Sequence, residues 1–332
     1  MVKLVEHLAL DDALSAARIA AQDYHGQEIR ELKAHSEQGC SASTFTVEYA
    51  DDTKAIIQLR DGRLDTTLIS LAHGMLGDIV PLVKAVKSDE TMGAYGMPLI
   101  PGTRWEPLIM TSLEDDVAIV AQFGSILARC RMDGTSSDAI VKHSIIPRLQ
   151  SIIRNDLPAL EGDYPLLRPR LEGLLARADN LKQLPLSVTH LDPNPFNVSP
   201  TNCLLTNPQP TQVIIDDSSS PPKITGFIDW ELATVLPFGM NAYQIRLIAV
   251  LNRKRVDCPD PATATPLAMA FWNAFTKDVE PQLKGAVLDA MSIGLILFCE
   301  FYEGVGTPSK EGVQNTVARL DWLEEMYRPL CK

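Results

Sequence analysis

The chain reads as an α+β protein of two lobes, a small strand-rich lobe over residues 1–102 and a larger, mainly helical lobe over residues 103–332. Three observations predict this. β-branched and aromatic residues crowd Ser43–Tyr49 and Ala55–Arg60 on either side of an Asp51-Asp52 turn, the pattern of a hairpin. Beyond Arg104 the apolar residues recur at helical spacing in one segment after another. The length of 332 residues suits about two domains, and 45% hydrophobic with 22% charged residues is ordinary for a globular chain with a sizeable core.

From Leu8 to about Tyr24 apolar and alanine positions recur at helical spacing, which predicts an N-terminal helix. Glu37-Gln38-Gly39-Cys40-Ser41-Ala42 then leads into the first strand of the hairpin. Asp115 to Arg129 starts acidic and ends basic, in agreement with the helix dipole. It carries an apolar stripe through Val117, Val120, Ala121, Gly124, Ile126 and Leu127. Ile145 to Ile153 and Leu166 to Leu181 are helical in pattern, with Pro147 and Pro165 as starts or breaks. Gln212 to Ile215 and Ile224 to Ile228 read as strands joined by the low-complexity run Asp216 to Pro222, a solvated hairpin turn rather than a metal site. Helices are predicted over Ala242 to Leu251, Ala262 to Thr276, Val287 to Tyr302 and Val313 to Met326. The most apolar run, Met291 to Phe298, is too short to span a bilayer and reads as a buried helix.

Thirty basic against 42 acidic residues give a net charge of -12, which opposes nonspecific binding to nucleic acid and to anionic membranes. The six cysteines are scattered, with no Cys-x-x-Cys pair and no histidine at zinc spacing, so reduced thiols in the cytoplasm are expected. Val2 to His7, followed by Asp11-Asp12, does not read as a signal peptide. A monomer is the default expectation.

The chemistry is concentrated in two segments, Thr189-His190-Leu191-Asp192-Pro193-Asn194-Pro195-Phe196-Asn197 and Gly226-Phe227-Ile228-Asp229-Trp230-Glu231. An aspartate with an asparagine five residues on, and a second aspartate at the end of an apolar strand, is the minimal kit for phosphoryl transfer from Mg-ATP. Asp192 is the candidate base for a hydroxyl proton. Magnesium takes hard oxygen ligands and keeps some of its waters, which suits one amide oxygen from Asn197 and one carboxylate from Asp229. Asn202, in the Asn202-Cys203-Leu204-Leu205 run of a Pro-, Asn- and Thr-rich stretch near Ser199 to Pro210, is the less favoured metal ligand.

With its His-x-Asp-x-x-x-x-Asn loop and Ile-Asp-Trp strand, the chain resembles the aminoglycoside phosphotransferase and choline kinase group. Lys223 to Glu231 is especially similar to the fungal aminoglycoside phosphotransferase-domain proteins. The resemblance implies a two-lobed protein-kinase-like fold and an ATP- and Mg2+-dependent kinase that phosphorylates a hydroxyl of a small molecule. It implies that Gly39, Ser41 and Ser43 line a phosphate loop, that Arg60 grips phosphate oxygens from the third strand, and that His190 supports the catalytic loop. Its usual helical glutamate is missing between Glu48 and Glu90, so Asp65 is the expected partner of Arg60. Gly77 to Pro81 resembles the entry to a fourth strand, and Tyr95 to Gly102 a fifth strand and hinge, where backbone groups at Leu99 and Ile100 would meet adenine. Leu191 stands where most relatives have glycine, so a positive φ there would be costly. Three other readings stay open: a noncatalytic pseudokinase that binds nucleotide or a partner, a scaffold, and, ranked low for want of Asp-Phe-Gly and Ala-Pro-Glu segments, a protein kinase.

Overall fold

The structure is a computed structural model that describes residues 10–35, 42–88, 92–105, 111–157, 166–191, 213–250, 260–301 and 310–331. It divides into two compact units, Met1–Gly102 with Thr225–Glu231, and Thr103–Ile224 with Leu232–Lys332.

In the first unit, α1 (Leu10–His25) covers an antiparallel sheet of β1 (Ile29–Ala34), β2 (Ala42–Tyr49), β3 (Lys54–Asp61), β4 (Lys84–Ser88) and β5 (Met92–Pro98), in the order β1-β2-β3-β5-β4. Alternate residues of β2 and β3, Phe45, Val47 and Tyr49 with Ala55, Ile57 and Leu59, are buried on one face, as period-two side-chain alternation requires. The matching stripe of α1 is Ala13, Ala17, Ala20 and Ala21, small enough to let the helix settle close to the sheet. The Tyr49 hydroxyl donates to the Ala21 carbonyl at 2.9 Å, and burial pushes its pKa up to about 12. On β5 a Cβ at Gly96 would lie 2.3 Å from the Tyr24 ring, so glycine is needed where α1 presses on the sheet.

A further helix, α2 (Thr67–Leu76), follows β3. The sequence did not announce it, because Thr-Leu-Ile-Ser-Leu-Ala-His-Gly-Met-Leu is too uniformly apolar to show a polar face. Its entry is set by Asp65, whose Oδ1 accepts the Thr67 N–H at 2.9 Å. Gly77–Ile79 then forms a single 3-10 turn ahead of β4.

In the second unit, α3 (Leu113–Arg129) starts at Ser112, whose hydroxyl accepts the Asp115 N–H at 3.1 Å. It packs along α8 (Pro261–Phe275), where a Cβ at Gly124 would lie 2.8 Å from the Phe271 carbonyl. Phe123, Phe271, Phe275 and Phe238 form a continuous run of ring contacts there. Two small sheets accompany the helices. One pairs β6 (Thr103–Arg104) with β9 (Val213–Asp216), after which β10 (Lys223–Phe227) leads into the first unit from Thr225 on; the other has β7 (Arg131–Met132), β8 (Leu186–Thr189) and β11 (Thr234–Pro237) in the order β11-β8-β7. The Asp216 to Pro222 link is a turn in which Asp216 Oδ1 accepts from the Ser218 N–H and hydroxyl, which holds its carboxyl below the usual range.

The helix predicted to begin at Ile145 begins at Asp138 and runs as α4 (Asp138–Ile140), a π turn over Val141–Ile145, α5 (Ile146–Ser151) and a second π turn over Ile152–Asp156. Pro147 has no N–H to offer the preceding turn, and the wide turn before it absorbs that loss. After α6 (Leu167–Arg177) come α7 (Gln244–Val250), α9 (Lys284–Gly294), which continues as a π turn to Glu300, and α10 (Lys310–Tyr327). Pro281–Glu300 is long and apolar enough to cross a membrane, yet 67% of its window is buried inside the protein, as a core helix would be. A Cβ at Gly294 would meet the Met240 carbonyl at 1.7 Å, so backbone packs directly on backbone there. Cys130, Cys299 and Cys331 are free thiols, and burial pushes Cys130 and Cys299 up to about 12.

Candidate functional site

β10 ends in buried Phe227, and the chain then turns abruptly. Asp229 is exposed and holds a φ of 67°, the left-handed region, before the 3-10 turn Trp230–Leu232. Among the described residues the other non-glycine at positive φ is Asp52, in the β2–β3 hairpin turn, where such a conformation is routine. Asp229 has no hairpin to explain it. The conformation costs a non-glycine residue about 1 kcal/mol and persists only where neighbours enforce it.

Those neighbours are visible. The Trp230 indole N–H donates to the Phe227 carbonyl at 2.8 Å, and the two rings meet edge to face at 5.2 Å. At the start of the segment the Thr225 hydroxyl donates to the Pro101 carbonyl at 2.9 Å. Asp229 thus stands exposed on a backbone flanked by these contacts.

Glu231 completes this segment by pairing with Arg60 of β3, through Glu231 Oε2 and Arg60 Nη2, with side chains 21% and 12% exposed. The partner expected from sequence was Asp65. That expectation is corrected: Asp65 is exposed and accepts from Thr67, whose hydroxyl and N–H lower its pKa. Helix α2, where a glutamate would ordinarily stand, contains no carboxylate. Its composition was a signal that the partner had to come from elsewhere in the chain.

In the second unit β8 carries Thr189 and His190, both buried, the latter just past the strand end. Thr189 sits opposite Thr234 of β11, and its hydroxyl lies 3.1 Å from that of Ser187. Leu191, half-buried, is not among the residues with positive φ, so the costly conformation is avoided.

The remaining expected site residues fall as follows. Ser43 is buried within β2 opposite Leu59. The Leu99 N–H donates to the Lys54 carbonyl at 3.1 Å, which removes it as a hinge donor, and Ile100 is half-buried beside it. Gly39, Ser41, Asp192, Asn197 and Asn202 lie outside the described residues. Among the described residues no group of three or more His, Cys, Asp or Glu side chains could hold a metal.

No protein-family model and no curated protein matches the sequence. Solved structures do match. A thermostable mutant of aminoglycoside phosphotransferase APH(4)-Ia, in a ternary complex with AMP-PNP and hygromycin B, is similar at a TM-score of 0.56 and 14% identity, over 94% of this chain and 98% of its own. Macrolide 2'-phosphotransferase MphH from Brachybacterium faecium is similar at 0.51 and 18% identity, over 93% and 97%. An ethanolamine kinase from Plasmodium vivax is similar at 0.50 and 12% identity, over 90% and 84%. At these identities the likeness is one of fold. The chain has the two-lobed, kinase-like α+β fold of the aminoglycoside phosphotransferase and choline kinase group.

Proposed function

We propose that the protein is a cytoplasmic kinase that moves the γ-phosphate of ATP, with magnesium, to a hydroxyl of a small molecule. The observation that carries this reading is Asp229, an exposed carboxylate held at left-handed backbone by Trp230 and Phe227. Strain of this kind collects at functional sites. The small-molecule kinase fold supports the same reading, and the likeness of Lys223 to Glu231 to fungal proteins turns the acceptor toward specialised metabolites.

The donor chemistry fits magnesium. An ion that keeps its waters and takes phosphate oxygens needs only one or two protein ligands, and Asp229 with the Asn197 amide oxygen would be those. When bound, such an ion neutralises charge on the phosphate oxygens. Arg60 would grip the non-transferred phosphates through its N–H fork. Asp192 would accept the acceptor's hydroxyl proton as oxygen bonds to the γ-phosphorus and the bond to the leaving ADP oxygen breaks. His190, buried at the end of β8, would support that loop and not take the proton. The lack of a carboxylate on α2 would favour a binding-only protein if Arg60 stood alone, but Glu231 supplies one.

Calorimetry of ATP binding, with and without magnesium, tests this. Magnesium-dependent binding is expected in the wild type and is expected to weaken at least about tenfold, on the order of 1.4 kcal/mol, in Asp229→Ala. Magnesium-independent binding, or equal binding by the variant, would remove Asp229 as the metal ligand.

A further inference from the structure

An arginine on a third strand is a long, flexible side chain, and fixing it costs about 2 kcal/mol of rotamer entropy unless a neighbour holds it in advance. In this chain the helix that follows that strand offers no carboxylate to hold it, since α2 has no Asp or Glu. The carboxylate comes instead from Glu231, largely shielded from water and two residues beyond Asp229. The segment that carries both acids is tethered at its other end by Thr225 to Pro101. Thr225–Glu231, Pro101 and Arg60 all belong to the first unit.

We propose that Glu231 is the positioning residue for Arg60, and that the pair fixes the guanidinium to the turn presenting Asp229, so the phosphate-binding cation and the metal-binding carboxylate are set as one piece. The proposal rests on the nucleotide reading given above. A guanidinium has five N–H donors, so one carboxylate orients it and leaves donors for phosphate oxygens. The pair is also neutral as a whole, which makes a half-buried charge tolerable before nucleotide arrives. Glu231 acts through Arg60 and touches neither phosphate nor acceptor. Its loss therefore weakens nucleotide binding.

The test is a double-mutant cycle read by the Kd for Mg-ATP, with thermal unfolding of every variant to establish that it is folded. Glu231→Gln and Arg60→Ala should each weaken Mg-ATP about tenfold, and the double variant should be no weaker than Arg60→Ala alone, because the two residues act as one. Glu48→Gln, which removes a surface carboxylate paired with Arg30 and Lys54 in the same unit, should leave the Kd unchanged. Losses that add in the double variant, or a Glu231→Gln protein that melts earlier yet binds Mg-ATP like the wild type, would overturn the positioning role. A wild type that does not bind Mg-ATP would remove the nucleotide reading, and this proposal with it.

Discussion

An arginine–carboxylate assembly of the second unit is more completely closed than the Arg60–Glu231 pair of the first. In the second unit Asp289 of α9, 2% exposed at its side chain, accepts from Arg177 Nε at 2.9 Å, Arg328 Nη2 at 3.0 Å and Asn180 Nδ2 at 3.1 Å. Glu324 of α10 takes further N–H groups of the same two arginines, and its hydrogen bond, then that of Asp289, raises the Arg328 pKa against the opposing effect of burial. Asp289 and Glu324 each accept several N–H groups there, and the network ties α6, α9 and α10 together. In the first unit Arg60 pairs with Glu231, two residues beyond an exposed aspartate in a strained conformation. A closed network spends its charges on holding helices; a single pair keeps donors for something else.

The sharpest way to break this comparison is Asp289→Ala. It leaves two guanidiniums that share only Glu324, and breaking a buried pair from one side costs about 3 to 5 kcal/mol. Both arginines keep more than a third of their side-chain surface, so the low end, about 3 kcal/mol, is expected from denaturant unfolding. Arg60→Ala should cost less than Asp289→Ala, since it unpairs one carboxylate that keeps 21% of its side-chain surface. Equal losses for the two variants would erase the distinction between a closed and an open assembly.

A second test separates the backbone of Asp229 from its carboxylate. Glycine is at ease at a φ of 67°, whereas alanine pays about 1 kcal/mol or more there. Asp229→Gly should therefore be more stable than Asp229→Ala by about 1 kcal/mol, against the usual order of the two residues. Both should lose magnesium-dependent nucleotide binding to the same extent. If the alanine variant were the more stable, the left-handed turn would not be a fixed feature of the segment.

The residues that sequence located well are those whose signal is local. The β2–β3 hairpin follows from alternating β-formers around Asp51-Asp52, and α3 from an acidic start, a basic end and an apolar stripe. Helix α2 was missed because Leu68, Ile69, Leu71, Ala72, Met75 and Leu76 leave no contrast between faces. The early start of the helix at Asp138 was missed because Pro147 looks like a boundary when the π turn before it is unseen. At the candidate site, spacing picked out Asp229 by residue type, but its backbone strain and the Glu231–Arg60 pair are tertiary facts that no local pattern contains. Asp192 and Asn197 lie outside the described residues, so their roles rest on sequence and chemistry alone.

The His25–Asp51 contact extends the comparison to the open surface. Asp51 Oδ2 lies 3.0 Å from His25 Nε2, and its Oδ1 accepts the Thr53 N–H at 3.0 Å. The His25 hydrogen bond, then that of Thr53, lowers its pKa from 3.8 to about 2. A carboxylate whose folded pKa is depressed contributes stability above its unfolded pKa and loses it as pH falls through the folded value. The contribution of Asp51 should accordingly be whole above about pH 5 and gone near pH 1. Asp51→Asn should follow a flatter stability curve than the wild type across that window, and the two curves should run parallel below it. The effect should be smaller than either of the others, because both groups meet solvent and salt screens them. Parallel curves throughout would mean that the pair does not hold in solution, and that the series of charge assemblies ends at Arg60 and Glu231.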